Sequence, residues 1–394
     1  MQVTLLLTVA FPPCARWCKR GLTAVMLALL AGCADLGYVL QSAQGHFGML
    51  QAAKPVDEWL AEPNPPAPLK RQLELAQRMR RFAVTELGLP DNASYTRYAD
   101  VRRTAVVWNV VAAPKLSLTL KTWCFPVAGC VGYRGYFDEA DARAMAAELK
   151  AEGLEVSVYG VPAYSTLGWM NWAGGDPLLN TFIHYPDGEL ARLIFHELAH
   201  QVAYAKDDTT FNESFATAVE RLGGNRWLAQ HGSLAATRQF DANAERRSQF
   251  RALTQATRAV LTKTYESNSD KAVSNAESIA IKEIAMGEFR TNYARLRAEW
   301  QSRSTAPQNL GFYDNWVVNA NNASLGAQAA YDELVPQFEA LFLRIEAQST
   351  LPQQSPWPKF YAAVQQLAAL PKADRRQALG AAATALPSPP AAQK

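Results

Sequence analysis

The stretch LIFHELAHQVAYAKDDTTFNESFA, Leu193 to Ala216, restricts the possible folds more than any other part of the chain. Leu193, Ile194 and Phe195 precede a His-Glu-Leu-Ala-His run, Leu198 and Ala199 fill it, and neither proline nor glycine interrupts it. That pattern predicts a helix with most of its surface in the core. His196 and His200, four residues apart, then project from one face about a turn from each other. The polar run from Ala205 to Thr210 reads as a break and a new helical pattern opens near Phe211, so the two segments are expected to form a helical hairpin.

Two imidazoles converging from one helix face are what zinc takes as its first two nitrogen ligands, and a catalytic zinc site adds a third protein ligand and an open position. Glu197, beside the first histidine, is placed to take a proton from water activated at such an ion. Histidines hydrogen-bonded to their neighbours inside an ordinary core are the alternative. At 1.5 Å per residue, His200 lies about 7 Å before the turn and Glu213 about 5 Å after it, so the two are nearly level. Thr210-Phe211-Asn212-Glu213 also spells a capping box, however, in which the glutamate only caps its own helix. Glu220, two turns further along the same face, offers itself either as the ligand or as support for His196. Helix arithmetic leaves these open.

Around this motif the pattern is α+β and mainly helical, with a small sheet before the histidine-bearing helix and long helices after it. After a proline-rich stretch from Ala61 to Pro68, Lys70 to Leu87 has helical spacing and stops at Gly88 and Pro90. Ala105–Val111 and Leu116–Trp123, split by Pro114, read as strands, Asp138–Glu152 as an alanine-rich helix, and Glu155–Tyr159 as another strand. Thr237–Glu266 and Lys271–Trp300 are long helical patterns expected to run antiparallel, followed by helices at Tyr331–Glu346 and Trp357–Leu370.

Arg16, Lys19 and Arg20 flank an apolar run from Gly21 to Leu30, which leads into Leu30-Ala31-Gly32-Cys33. The run is shorter than the roughly 20 apolar residues of a membrane-spanning helix. The arrangement resembles a bacterial lipoprotein signal, which implies cleavage before Cys33 and acylation of its thiol. By the same resemblance to lipoprotein sorting signals, Ala34 after the cysteine implies the outer membrane. The expected division is a leader over 1–32, one domain over 33–381 and a disordered tail over 382–394. The formal charge is +3, and those three basic residues account for it, so the remainder is neutral without a long basic run and carries no electrostatic footprint for nucleic acid. In an oxidising compartment the even pair Cys124 and Cys130 reads as a disulfide, with two buried thiols as the alternative.

HELAH followed by NESFA resembles the gluzincin metallopeptidases. The resemblance implies that His196, His200 and Glu213 hold one Zn2+ ion and that Glu197 is the general base. Two departures stand out. The gap from His200 to Glu213 is shorter than in the best-known members, and Thr217 stands where an acidic residue usually orients a histidine, which leaves that support to Glu220. Taken with WCFPVAGCVGYRGYF, AYSTLGW and DPLLNT, the motif resembles a family of bacterial envelope lipoproteins described as predicted aminopeptidases. The likeness implies a zincin-like core, a peptide substrate, a membrane contact through an N-terminal lipid anchor, and a periplasm-facing location.

In such enzymes a strand edge above the metal helix pairs with substrate, and Val161 to Trp169 could supply that edge or its adjoining loop. By residue type alone, Tyr164, Tyr204, Tyr331 and His184 are candidates for stabilising an oxyanion. Asn212, before the third ligand, and Glu220 are candidates for supporting the site. The glycine-rich, glutamate-bearing sequence that recognises a free amine in some relatives is absent, which leaves Asp176 or Glu189 as candidates to take its place. An endopeptidase, another amide hydrolase, or a non-catalytic envelope protein with a peptidase-like fold are the competing readings. No G-x-S-x-G elbow, Walker loop or dinucleotide glycine fingerprint is present.

Overall fold

The computed structural model describes residues 37–125, 129–270, 273–303, 309–348 and 355–384, apart from the side chains of 330–332. The leader with Cys33, residues 385–394 of the tail and the Tyr331 side chain therefore lie outside the described residues. The chain divides into two units, Met1–Gly48 and Met49–Lys394. Residues 37–48 of the first are helical, and the second carries every element discussed below.

Among the described residues helix dominates, with three small sheets. In the largest, Val107–Ala113 is central, antiparallel to Arg134–Tyr136 on one side and to Glu155–Val161 on the other, with Val107 opposite Val161 and Ala113 opposite Glu155. Arg97–Ala99 pairs with Lys54–Pro55 and, in parallel, with Leu178–Leu179. Trp123–Phe125 and Gly129–Val131 form a hairpin in which Cys124 and Cys130 stand opposite each other, joined by a disulfide.

The strand expected over Leu116–Trp123 is a strand only from Trp123 onwards. The alternating leucines do not mark a sheet: Leu116 and Leu118 pack against the core of the long helices, and Leu120 lies against the sheet's own small cluster with Val111 and Ala113. The helix Glu139–Ala151 keeps its expected limits because Asp138 accepts a hydrogen bond from the Ala140 amide at its start and Gly153 takes a left-handed φ of 88° just past its end. The long pair runs over Leu234–Ser269 and Asn275–Ser302, and the expected Tyr331–Glu346 helix is two, Asn322–Asp332 and Val335–Ala347. The final helix, Lys372–Thr384, continues past the expected domain end at 381.

Among the described residues the apolar core falls into two main clusters, besides the small one beside the sheet. The larger surrounds the histidine helix, Asp187–Ala199, and the glutamate helix, Thr209–His231, and includes Phe195, Phe211, Phe215, Phe338, Trp357 and Phe360. The second belongs to the long pair and centres on Phe250, Phe289, Tyr293 and Trp300. Gly223 and Gly224 sit in the middle of the glutamate helix, where glycine costs about 0.5–1 kcal/mol relative to alanine. Their value lies in closeness. A Cβ on Gly223 would stand 2.7 Å from Leu87 and 3.0 Å from Phe195, and one on Gly224 would stand 3.0 Å from Arg192, so the bare backbone lets the two helices meet face to face.

Candidate metal centre

The histidine helix begins after Pro186, with Asp187 and Glu189 in its first turn where the helix dipole favours acids. It buries Leu190, Ile194, Phe195 and Leu198, which turns Glu189, Arg192, His196 and His200 onto one polar stripe facing the glutamate helix. The glutamate helix is capped by Asp208, whose Oδ1 accepts the Phe211 amide at 3.2 Å. With the cap supplied by Asp208, the capping-box geometry of Thr210 to Glu213 is not adopted. The Glu213 carboxylate reaches across the hairpin.

There, Glu213 Oε2 lies 3.3 Å from His196 Nε2 and 3.6 Å from His200 Nε2, and the two Nε2 atoms are 3.2 Å apart. Three donor atoms bound to one tetrahedral zinc at its usual bond lengths would be separated by roughly 3.3–3.6 Å. The donor set, two imidazoles and a carboxylate, is also the one zinc takes, so the residues fit the ion. Among the described residues this is the group of three that could hold a metal.

On the far side of the His196 ring, Nδ1 lies 3.1 Å from Glu220 Oε2. Glu220 thus lies beside His196 and outside the group of three. Glu220 is itself hydrogen-bonded by Arg192, Arg192 bridges to Glu189 at 3.2 Å, and Glu189 receives Arg247 at 2.9 Å and Asn243 at 3.1 Å from the helix Leu234–Ser269. Acid and base alternate along this ladder, each in contact with the opposite charge. Neither Nδ1 makes a hydrogen bond of good geometry, but His196 Nδ1 has the Glu220 carboxylate 3.1 Å away.

Charge follows the same geometry. Burial works against the protonated His196 ring, yet Glu213 and Glu220 outweigh it and hold His196 well above its ordinary range. Burial would raise Glu213 too, but the two histidines press it far below the usual carboxylate range. Glu220 is brought to about 2, its burial overcome by Arg192 and His196. Glu197 moves the other way: burial lifts it, the histidines oppose and the two glutamates reinforce.

The model of a protein family described as "Putative aminopeptidase" matches residues 37–379. The chain belongs to that family. Membership of this aminopeptidase family points to peptidase activity. A comparison with curated proteins and one with solved structures found no match.

Set against the aminopeptidase family, the other sequence candidates separate. Asn212 faces the loop between the helices, where its Oδ1 accepts the Ala205 amide at 2.7 Å and its Nδ2 donates to the Ala205 carbonyl at 2.9 Å. Tyr164 packs on Phe137 with ring centroids 5.3 Å apart, and His184 is exposed on the turn before the histidine helix. Tyr204 is raised by burial and by the charges of Glu213 and Asp207, which puts it in electrostatic reach of the centre. Tyr159, which residue type alone did not single out, is held at about 12 by burial, eased by Asn109 and raised by Glu213. The segment from Val161 to Trp169 is a strand end and a loop, since Pro162 stops the ladder. Glu189 is saturated by Arg192, Arg247 and Asn243. Asp176 is 1% exposed and accepts the Thr166 amide on both oxygens at 3.1 and 3.2 Å. Burial raises it to about 6, with a further push from the nearby charge of Glu197.

Arg192, Arg247 and Tyr159 escaped sequence reasoning for different reasons. Glu189, Arg192 and His196 fall at steps of three and four in an otherwise apolar helix, a signal that could have exposed the stripe. Arg247 and Tyr159 come from distant elements and had no local signal.

Proposed function

We propose that this protein is a zinc-dependent aminopeptidase of the bacterial cell envelope with a zincin-like core. The observation that carries the reading is the mutual spacing of His196 Nε2, His200 Nε2 and Glu213 Oε2, at 3.2, 3.3 and 3.6 Å. These three residues would hold one Zn2+ ion, which would supply a Lewis acid to polarise the peptide carbonyl and acidify water.

The chain's own residues do the rest. Glu220 beside Nδ1 of His196 fixes the tautomer that leaves Nε2 free to ligate, and Arg192 keeps Glu220 ionised. Glu197, directly after His196 and half-buried, accepts the proton from the attacking water and returns it to the leaving amine. Tyr204 and Tyr159, both kept neutral at ordinary pH, have hydroxyls that can donate to a developing oxyanion. Of the two carboxylates considered for the substrate's ammonium group, Glu189 is engaged by Arg192, Arg247 and Asn243, and Asp176 is buried with both oxygens on the Thr166 amide, so neither is free to take that role. The envelope location and lipid anchor rest on the sequence from Arg16 to Ala34.

The test is hydrolysis of matched free-amine and N-acetylated peptides by zinc-reconstituted protein and by Glu197→Gln. The reading requires preference for the free amine, and loss of turnover with zinc retained in the variant. Equal cleavage of both peptides would make the enzyme an endopeptidase, and full activity in the variant would remove Glu197 from the chemistry.

A further inference from the structure

The loop from Ser165 to Asp176 holds Trp169 and Trp172 in water, 66% and 80% exposed. It is not loosely held. Its backbone is tied to itself by Trp169 N to Thr166 O at 3.0 Å, Ala173 N to Met170 O at 2.9 Å and Gly175 N to Met170 O at 3.2 Å. Asp176 latches its two ends together through the Thr166 amide, and Ser94 Oγ donates to Asn171 Oδ1 at 3.1 Å. Leu167 adopts a φ of 54°, a left-handed backbone that costs a leucine about 1–3 kcal/mol. Strain and hydrogen bonds thus go into presenting two indoles outward.

The loop touches the residue that follows the histidine helix. A Cβ on Gly168 would stand 3.1 Å from Oε1 of Gln201, and Gln201 is the residue after His200. Gln201 Nε2 also donates to Ser94 Oγ at 3.2 Å, the same hydroxyl that holds Asn171. Trp169 therefore neighbours a residue in contact with the end of the histidine helix. From Ser165 to Gly175 the sequence contains no charged residue, and Leu167 and Met170 extend its apolar character.

Building on the peptidase reading, we propose that Trp169 and Trp172 form an aromatic wall beside the metal centre that receives an apolar side chain of the peptide substrate. Rigid indoles give large contact area at small entropic cost, and an uncharged loop offers nothing to pair with a charged side chain. Continuity with the ligand-bearing helix assigns the wall to substrate.

The experiment compares kcat/KM of the zinc-reconstituted full chain for short peptides differing at one side chain, Leu, Phe, Ser or Gly, in the parent, Trp169→Ala, Trp172→Ala and the double variant. The expected result is a preference for Leu and Phe over Gly that shrinks about 10–100-fold in the double variant, mainly through KM, and that Trp→Phe at both sites largely restores. An unchanged preference overturns the wall. So does an unchanged preference accompanied by weakened binding to anionic phospholipid vesicles, which would make the two indoles a membrane contact. Fluorescence titration of Glu197→Gln with the same peptides separates this inference from the peptidase reading. If no peptide is hydrolysed yet the Leu and Phe peptides bind in a tryptophan-dependent way, the peptidase reading fails and the wall stands; hydrolysis with an indifferent preference fails the wall alone.

Discussion

At the scale of single residues, Glu213 and Glu220 are the same side chain two turns apart on one helix, given different tasks by which edge of His196 each meets. Glu213 faces Nε2 together with His200, and Glu220 faces Nδ1 with Arg192 behind it. Glu220→Gln keeps a hydrogen-bond acceptor but not the charge, so zinc affinity, measured by competition with a chelator, is expected to fall about 10–100-fold. A loss as complete as that of Glu213→Ala would place Glu220 among the ligands. Asp176 gives a second prediction, in the metal-free protein. Its folded pKa is raised from 3.8 to about 6, so between those values the folded state binds the extra proton and stability falls as pH rises. Asp176→Asn removes that slope and is expected to gain about 1–3 kcal/mol at pH 7 in denaturant unfolding. An unaltered pH profile of stability would show that the carboxylate is not strained. The sequence made His196, Glu197 and His200 legible because all three lie within one helical turn. It left Glu213 and Glu220 undivided because period alone cannot say which edge of an imidazole a carboxylate meets.

Among the elements, what matters is how the two helices of the hairpin are set in register. Asn212 pairs both of its amide atoms with the Ala205 backbone and so fastens the start of the glutamate helix to the end of the connecting loop, one residue before Glu213. Asn212→Ala leaves a buried amide and carbonyl unpaired and is expected to destabilise the fold by about 2–4 kcal/mol in urea unfolding, with weaker zinc retention as a second readout. A neutral effect would mean that the loop holds itself. Helices were legible wherever capping and apolar spacing agreed, as from Asp138 to Gly153 and along the long pair. The Leu116 to Trp123 strand was not, because alternate leucines that pack on two different clusters repeat every second residue just as a strand does. Gly223 and Gly224 read as a defect in a helix until the side chains they make room for, Phe195, Leu87 and Arg192, are brought beside them.

Across the whole molecule, the loop between the two ligand helices is gripped from distant parts of the chain. The disulfide hairpin reaches it through the Cys130 amide, which donates to Asp207 Oδ1 at 2.6 Å, and the final helix through Lys372 Nζ, which donates to the Asp207 carbonyl at 2.6 Å. Arg375 of that helix pairs with Asp208 at 2.9 Å, both side chains only 7% exposed. Removing one member of such a buried pair strands the other, so Arg375→Met is expected to cost about 3–5 kcal/mol, read by chemical denaturation. A loss below about 1 kcal/mol would show the pair to be as weak as a surface one. These long-range grips had no sequence signal, since Asp207, Asp208, Lys372 and Arg375 look like ordinary surface charges. Zinc-edge anomalous diffraction from crystals of the reconstituted full chain is predicted to show one ion at roughly 2.0–2.2 Å from His196 Nε2, His200 Nε2 and a Glu213 oxygen; density at another site, or none between these three side chains, would contradict it.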